Sequence, residues 1–154
     1  MCSSDLLSDR LCAARLVVHQ GDDVHRAEVL EHFFDRWQSE NLVVNQWFVM
    51  QATRPSADCV SDVTELTHHA AFDWRNPNKV RSLISAFAGA NSTAFHALDG
   101  GGYRLLGDAV RRLQSDNPQI AARMLAPMTR WRRYDHGQAF MRGELESIAA
   151  LEGL

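Results

Sequence analysis

The most informative segment of the chain reads Asn76-Pro-Asn-Lys-Val-Arg-Ser-Leu-Ile84 and continues to Phe87. Asn76 can cap a helix, because its side-chain oxygen accepts a hydrogen bond from a first-turn N–H, and Pro77 suits the first helical position, where no N–H partner is needed. Apolar residues then follow at i, i+3, i+4 and i+7, namely Val80, Leu83, Ile84 and Phe87. The segment therefore predicts an amphipathic helix, and Arg81 lies off its apolar face.

A second helix start follows in the run Asp99-Gly-Gly-Gly-Tyr103. The three glycines allow the backbone to turn sharply, and Tyr103 is predicted to open the next amphipathic helix. The same run could suggest a phosphate-binding loop. No strand precedes it and no Gly-Lys-Ser/Thr follows, so a loop before a helix is the preferred interpretation.

On the N-terminal side the periodicity predicts four more helices, whereas Met1 to Leu6 carries no clear element. The first starts at Ser8 or a neighbour and ends at Gly21, and the second starts after the capping acids Asp22 and Asp23. The third runs from Asn41 to Ala52, and the fourth runs from Pro55-Ser56 to about His68. A strand is the competing prediction for residues 42–52, which are rich in β-branched and aromatic residues. A helix is favoured because the apolar positions do not alternate and both neighbours are helical.

On the C-terminal side Asn117-Pro118 repeats the cap-plus-proline start. Pro127 is predicted to free the carbonyl of Arg123 and to bend its helix, and Asp135 is predicted to cap a final helix. The complete sequence pattern predicts an all-α chain of about eight helices with short connections. Antiparallel helix pairs of this kind stack either into a superhelix or into an irregular bundle, and periodicity alone does not choose between them.

Composition limits the classes of function that the chain can have. A length of 154 residues predicts one domain or a piece of a larger protein, and 45 % apolar with 23 % charged residues is ordinary for a globular protein. The net charge of −3 without a basic stripe argues against nucleic-acid binding. No apolar run reaches the roughly 18 residues of a membrane span. Three cysteines without a C-x-x-C spacing fit a reducing compartment best, and a cytoplasmic location is the default prediction.

A self-contained catalytic or metal site is not predicted. The seven histidines form no His-Glu-x-x-His motif, and the pair His25 and His32 lacks a third ligand. Neither a Gly-x-Ser-x-Gly motif nor a P-loop is present. Cys59 lies among helix-core positions and is interpreted as a small hydrophobic residue. The glycosylation acceptor pattern Asn91-Ser92-Thr93 is interpreted as accidental, since no secretion signal precedes it.

Several ordered motifs resemble the C-terminal helical domain of bacterial aminopeptidase N, a family of zinc metallopeptidases. The resemblance covers about Leu7 to Leu154. Its matching segments are Asp35-Arg-Trp-Gln38, Asn41-Leu-Val-Val-Asn-Gln-Trp-Phe48, Gln51-Ala-Thr53, Asn76-Pro-Asn-Lys-Val-Arg-Ser-Leu-Ile84, Ala94-Phe-His96, Asp99-Gly100, Gly102-Tyr103, Asp116-Asn-Pro118 and Arg133-Tyr-Asp135. Two departures are the absence of a proline near Ser92 and of a last short helix after Leu154.

The resemblance implies an α-solenoid of the ARM/HEAT type, a superhelical stack of antiparallel helix pairs. It implies a domain from residue 7 to 154 that is incomplete at its ends, with residues 1–6 as an unmatched segment of artefactual or truncated origin. The zinc ligands and the general-base glutamate would lie upstream, in a catalytic domain of the same polypeptide. This chain would therefore be non-catalytic and hold no metal, although its parent enzyme would use zinc to remove N-terminal residues from peptides.

Within the resemblance, Arg81 and Arg123 are the candidate residues of the substrate cavity. A guanidinium there can pair with the C-terminal carboxylate of a peptide through two parallel hydrogen bonds. The alternative is that each arginine forms an internal salt bridge or faces water.

The competing hypothesis for the whole chain is a stand-alone helical-repeat module for protein interactions. Such a module should carry polar terminal caps. The first predicted helix instead exposes an apolar face of Leu7, Leu11 and Val18, which favours a domain of a larger enzyme.

Overall fold

The computed structural model describes residues 3–151 of the chain, and every regular element in that range is helical. The first half contains α1 (Ser3–Gln20), α2 (Asp23–Trp37), α3 (Asn41–Ala52) and α4 (Cys59–Leu66). The second half contains α5 (Pro77–Val80), a π-helical turn (Arg81–Ser85), α6 (Ala86–Ala90), α7 (Ser92–Phe95), α8 (Gly101–Gln114), α9 (Pro118–Met124), a 3₁₀ helix (Met128–Arg133) and α10 (Gln138–Ala149). The all-α prediction is confirmed.

Residues Pro77 to Ala90 run without a break through α5, the π turn and α6, and we call them the 77–90 helix. With that helix counted once, residues 3–151 contain eight α-helices of at least seven residues, as predicted. Consecutive helices pack as pairs, with α1 against α2, α3 against α4, and α8 against α9. This pairing is that of a helical-repeat stack.

The centre of the stack is α3, the segment for which a strand was the competing prediction. It packs against α1, α2, α4 and the 77–90 helix. Half of its residues are buried, namely Val43, Val44, Trp47, Phe48, Met50 and Ala52. A helix enclosed by other helices is apolar on most sides, which explains why its sequence shows neither a clean helical stripe nor strand alternation.

The 77–90 helix forms as its sequence predicts. The Asn76 side chain accepts a hydrogen bond from the Asn78 N–H at 3.0 Å, and Pro77 occupies the first turn. The four apolar residues of the predicted face are fully buried: Val80, Leu83, Ile84 and Phe87. The π-helical turn at Arg81–Ser85 was not predicted, because one widened turn leaves the apolar spacing almost unchanged.

The predicted turn before α8 is also present. Gly100 adopts a left-handed conformation with φ of +72°, which glycine tolerates without steric cost, and the Gly101 N–H donates to the Asp99 carboxylate at 2.9 Å. Tyr103 then lies in the first turn of α8 and is 1 % exposed.

Several predicted boundaries are wrong. Helix α1 begins at Ser3 rather than near Ser8, so part of the segment predicted to lack structure is helical, while Met1, Cys2 and Leu154 lie outside the described residues. Helix α4 begins at Cys59, after a loop that contains Pro55-Ser56. The predicted boundary of the domain at residue 7 stays a prediction.

The predictions for Pro127 and Asp135 are wrong as well. No continuous helix bends at Pro127; α9 ends at Met124, a turn follows, and a separate 3₁₀ helix begins at Met128. The Arg123 carbonyl is not free, because it accepts from the Ala126 N–H at 3.3 Å. Gly137, with φ of +84°, takes the N-cap position of α10 in place of Asp135, since its left-handed backbone redirects the chain.

The expected exposed face of the first helix is also corrected. Val18 is 1 % exposed, and Leu7 and Leu11 are partly buried against the core, because the other helices of the chain cover them. The large apolar side chains that do face outward on α1 are Leu6 and Leu16, at 47 % and 59 % exposure.

Candidate functional site

Arg81 lies at the first position of the π turn, on the side away from the core. It lines a groove of about 490 Å³ between α1, α3 and the 77–90 helix, which we call the Arg81 groove. The groove also contains the leucines Leu7, Leu11 and Leu42 and the polar residues Asn45, Gln46, Asn78 and Ser82. Arg81 is exposed and forms no ion pair with any other residue in the range 3–151. It is therefore free to bind an anion.

Asn45 adds an unusual feature to the Arg81 groove. Its side-chain oxygen Oδ1 is buried, and no donor among the described residues reaches it. A buried acceptor without a donor is costly, and native structures contain few of them. The groove therefore combines an unpaired guanidinium, a vacant acceptor and apolar side chains.

Arg123 lies in the last turn of α9, on a different part of the stack. Its side chain is exposed and has no ion-pair partner among the described residues. It does not line the Arg81 groove. Both predicted arginines are thus open to solvent, but they do not line the same groove. Neither arginine forms an internal salt bridge with a residue in the range 3–151.

The structure reveals a second polar groove that the sequence did not predict. This groove of about 350 Å³, which we call the His96 groove, lies between the end of α6, α7 and residues 126–134, which include the 3₁₀ helix. It is lined by Ala88, Gly89, Ser92, His96, Ala126, Pro127, Arg130 and Tyr134. Arg130 and Tyr134 come from the segment just after Pro127, where the proline ends α9 and lets the chain turn back towards α7.

His96 is held by aromatic neighbours on several sides. The Tyr134 ring stacks on the imidazole with a centroid distance of 4.2 Å and an interplanar angle of 27°, and Phe95 contacts it edge-on at 4.9 Å. The buried Tyr103 hydroxyl lies 2.6 Å from His96 Nδ1. Burial lowers the pKa of His96 and raises that of Tyr103, so both groups are neutral at neutral pH.

Lys79 is a charged residue that sequence reasoning missed. It is 6 % exposed, and its ammonium group lies 5.7 Å from the centroid of the Phe48 ring without an ion pair among the described residues. Desolvation lowers its pKa. The contact with an aromatic face stabilises the cation, so Lys79 joins the 77–90 helix to α3.

Cys59 is not a nucleophile. Its thiol is fully buried and donates to the carbonyls of Gln51 and Ala52. Burial raises the pKa of this thiol to about 11, and the nearby Asp62 carboxylate acts in the same direction. The thiolate required for nucleophilic attack is therefore scarce at neutral pH.

We expect iodoacetamide at pH 8 to label the exposed Cys12 while Cys59 stays unlabelled until urea unfolds the chain. The raised pKa leaves about one thiolate in a thousand at that pH, and burial blocks access. Mass spectrometry of the peptides that contain Cys12 and Cys59 measures the labelling. Equal labelling rates for Cys12 and Cys59 in the native protein would contradict the assignment.

No metal centre is seen within residues 3–151, where no group of three or more histidine, cysteine or acidic side chains is arranged to hold an ion. The described residues therefore do not supply the ligands for the zinc that the resemblance implies for a parent enzyme. No helix in the described range is long and apolar enough to span a bilayer.

Paired helices around a central α3 define a helical-repeat domain. The chain belongs to the family described as a domain of unknown function (DUF3458_C) with ARM repeats, whose model matches residues 1–154. The predicted α-solenoid is therefore confirmed.

The chain is similar to bacterial aminopeptidases. The chain is 44 % identical to Aminopeptidase N of Escherichia coli (strain K12) and 41 % identical to that of Haemophilus influenzae, each over 130 residues. These matches cover 84 % of this chain, which spans 15 % of the length of either relative. The predicted resemblance to the C-terminal domain of aminopeptidase N is confirmed.

A solved structure agrees with the comparison of sequences. The crystal structure of Legionella pneumophila aminopeptidase A in complex with aspartic acid superposes with a TM-score of 0.85 at 34 % identity. The superposition covers 90 % of this chain and 16 % of the Legionella chain.

Proposed function

We propose that this chain is a non-catalytic domain of a zinc-dependent aminopeptidase, which packs over the catalytic domain of the same polypeptide and lines its substrate cavity. The observation that carries the proposal is its 44 % identity to a segment that makes up 15 % of an aminopeptidase. The parent reaction would be the removal of N-terminal residues from peptides by a zinc-activated water, with all zinc ligands outside the described residues. A cytoplasmic location stays a prediction.

In this proposal Arg81 and Arg123 face the substrate cavity. Both guanidinium groups are exposed and without ion pairs among the described residues, which is expected for side chains that await a ligand. A guanidinium matches the two oxygens of a carboxylate, so each arginine can bind the free C-terminus of a peptide substrate. The domain would thereby contribute to substrate binding but not to bond cleavage.

Replacing Arg81 by alanine in the complete enzyme is expected to raise KM for peptides about tenfold, because a hydrogen bond to a charged group contributes about 1.5 kcal/mol. KM for amino-acid arylamides should not change, because these substrates lack a C-terminal carboxylate. Steady-state kinetics on both substrate classes measures the difference.

Arg75→Ala is a suitable control, since the Arg75 side chain is 83 % exposed, pairs with Asp73 and does not line the Arg81 groove. It should leave both KM values unchanged. The proposed role of Arg81 is wrong if its substitution changes KM equally for peptides and arylamides.

A further inference from the structure

We propose that the His96 groove is a carboxylate-binding site, in which the Nε2–H of His96 and the guanidinium of Arg130 hold the anion. The inference concerns residues other than Arg81 and Arg123 and does not depend on the zinc chemistry of a parent enzyme. It rests on the tautomer of His96, the fixed position of its ring and the unpaired charge of Arg130.

The tautomer of His96 follows from its partner. The Tyr103 hydroxyl is buried, and the His96 Nδ1 at 2.6 Å is its one hydrogen-bond partner among the described residues. A buried hydroxyl donates its proton when an acceptor is available, so Nδ1 accepts and the ring proton is on Nε2. His96 therefore presents an N–H donor at its other edge, and no described residue accepts from that donor.

The imidazole is also held in place before any ligand arrives. Tyr134 stacks on one face, Phe95 contacts the ring edge-on, and Tyr103 fixes Nδ1. The segment that carries Tyr134 continues to Gly137, where an added Cβ would lie 2.6 Å from the Tyr103 hydroxyl. A donor that is fixed in advance loses little conformational entropy when it binds an anion.

Arg130 supplies the charge. It lines the same groove as His96, is exposed, and forms no ion pair with a described residue. Since His96 is neutral, the groove offers one positive charge with several N–H donors. That combination matches a monoanion with two acceptor oxygens, which is a carboxylate, better than a phosphate with about two negative charges.

The carboxylate can come from two sources, which a binding experiment separates. One is the free C-terminus of a peptide; the other is an aspartate or glutamate side chain elsewhere in the same polypeptide. The probes are an N-acetyl dipeptide with a free carboxylate and the same dipeptide as its C-terminal amide. N-acetylation removes the free amino group, so that neither probe is a substrate for N-terminal cleavage.

Binding of both probes to the intact polypeptide is measured by ligand-observed NMR. If the groove takes a peptide C-terminus, the acid should bind at least about tenfold more tightly than the amide. Arg130→Gln and His96→Phe should each remove that preference, the second while keeping a ring that can stack on Tyr134. Arg132→Gln is the matched control, because Arg132 is exposed on the same 3₁₀ helix and lies over Trp131 instead of in the groove.

If a carboxylate of the polypeptide itself fills the groove, the acid probe should not bind in preference to the amide. Arg130→Gln should then lower the thermal unfolding midpoint by several degrees, whereas Arg132→Gln should not. The inference is overturned if Arg130→Gln behaves like Arg132→Gln in both measurements. The kinetic test of Arg81 is a separate experiment. A negative result for Arg81 therefore does not decide whether the His96 groove binds a carboxylate.

Discussion

Replacing Gly102 by alanine is expected to destabilise the chain by about 3 kcal/mol, the upper end of the cost of overpacking a core. Gly102 lies in the first turn of α8, where α8 passes directly over the backbone of α7. A Cβ at this position would clash with the Phe95 carbonyl oxygen and lie 2.6 Å from the Phe95 Cα. These atoms belong to the backbone, which cannot swing aside as a flexible side chain would, so the two helices must separate.

The separation would also affect the His96 groove, because Phe95 and His96 are adjacent and Tyr103 follows Gly102 directly. Moving α8 away from α7 lengthens the hydrogen bond between the Tyr103 hydroxyl and His96 Nδ1, which is now 2.6 Å. Urea unfolding followed by circular dichroism measures the loss of stability.

Gly143→Ala is the matched control. Gly143 lies inside α10, and nothing is within 4 Å of an added Cβ. Alanine there should stabilise the chain by about 0.5–1 kcal/mol, because it lowers the conformational entropy of the unfolded chain without a clash. The close approach of α7 and α8 would be refuted if both substitutions changed the free energy of unfolding in the same direction.

The features that the sequence predicted well are local ones. Asn76 and Asn117 both cap the helices that their cap-plus-proline pattern indicates, and Asp22 caps α2 through the N–H of His25. Such caps join residues two or three positions apart, so no knowledge of the tertiary fold is needed. The same holds for the apolar face of the 77–90 helix, because helical periodicity fixes which side chains share a face.

The helix boundaries that were wrongly predicted lie where two local sequence signals compete. Asp135 is a good capping residue, but Gly137 supplies the left-handed backbone that turns the chain into α10. Pro127 was expected to bend a continuous helix. Its missing N–H and the turn at residues 125–127 instead end α9 and start a 3₁₀ helix. The apolar periodicity of the sequence continues through this break, so the pattern did not show where α9 ends.

The candidate site was only partly visible in the sequence. A helical pattern shows that Arg81 leaves the apolar face, but which groove receives it depends on where α1 and α3 pack. The His96 groove is harder to foresee, because Arg130 and Tyr134 lie more than thirty residues after His96. One local signal existed: a histidine and a tyrosine seven positions apart flank the glycine turn, which brings them together.

Asn91 is a second position at which substitution is expected to cause a large loss of stability. Helical periodicity does not predict its contacts. Its side chain is buried between α6 and α7 and is 2 % exposed. The amide nitrogen donates to the carbonyls of Ala52 and Arg54 at 2.9 and 2.6 Å, and the amide oxygen accepts from the Ala94 N–H at 3.2 Å. One side chain thus caps α7 and ties it to the end of α3. Because the amide nitrogen is occupied and buried, the native side chain is also closed to glycosylation.

Asn91→Ala is expected to lower the free energy of unfolding by about 3 kcal/mol. Two lost hydrogen bonds to buried carbonyls and one lost helix cap contribute about 1 kcal/mol each. Asn117→Ala is the control, since Asn117 caps α9 through the Ile120 N–H at 3.2 Å without a long-range partner, and it should cost only about 1 kcal/mol. Urea unfolding of both variants separates the two contributions. Equal losses would mean that Asn91 acts as a cap alone, and that apolar packing, without this polar tie, holds the end of α3 against α7.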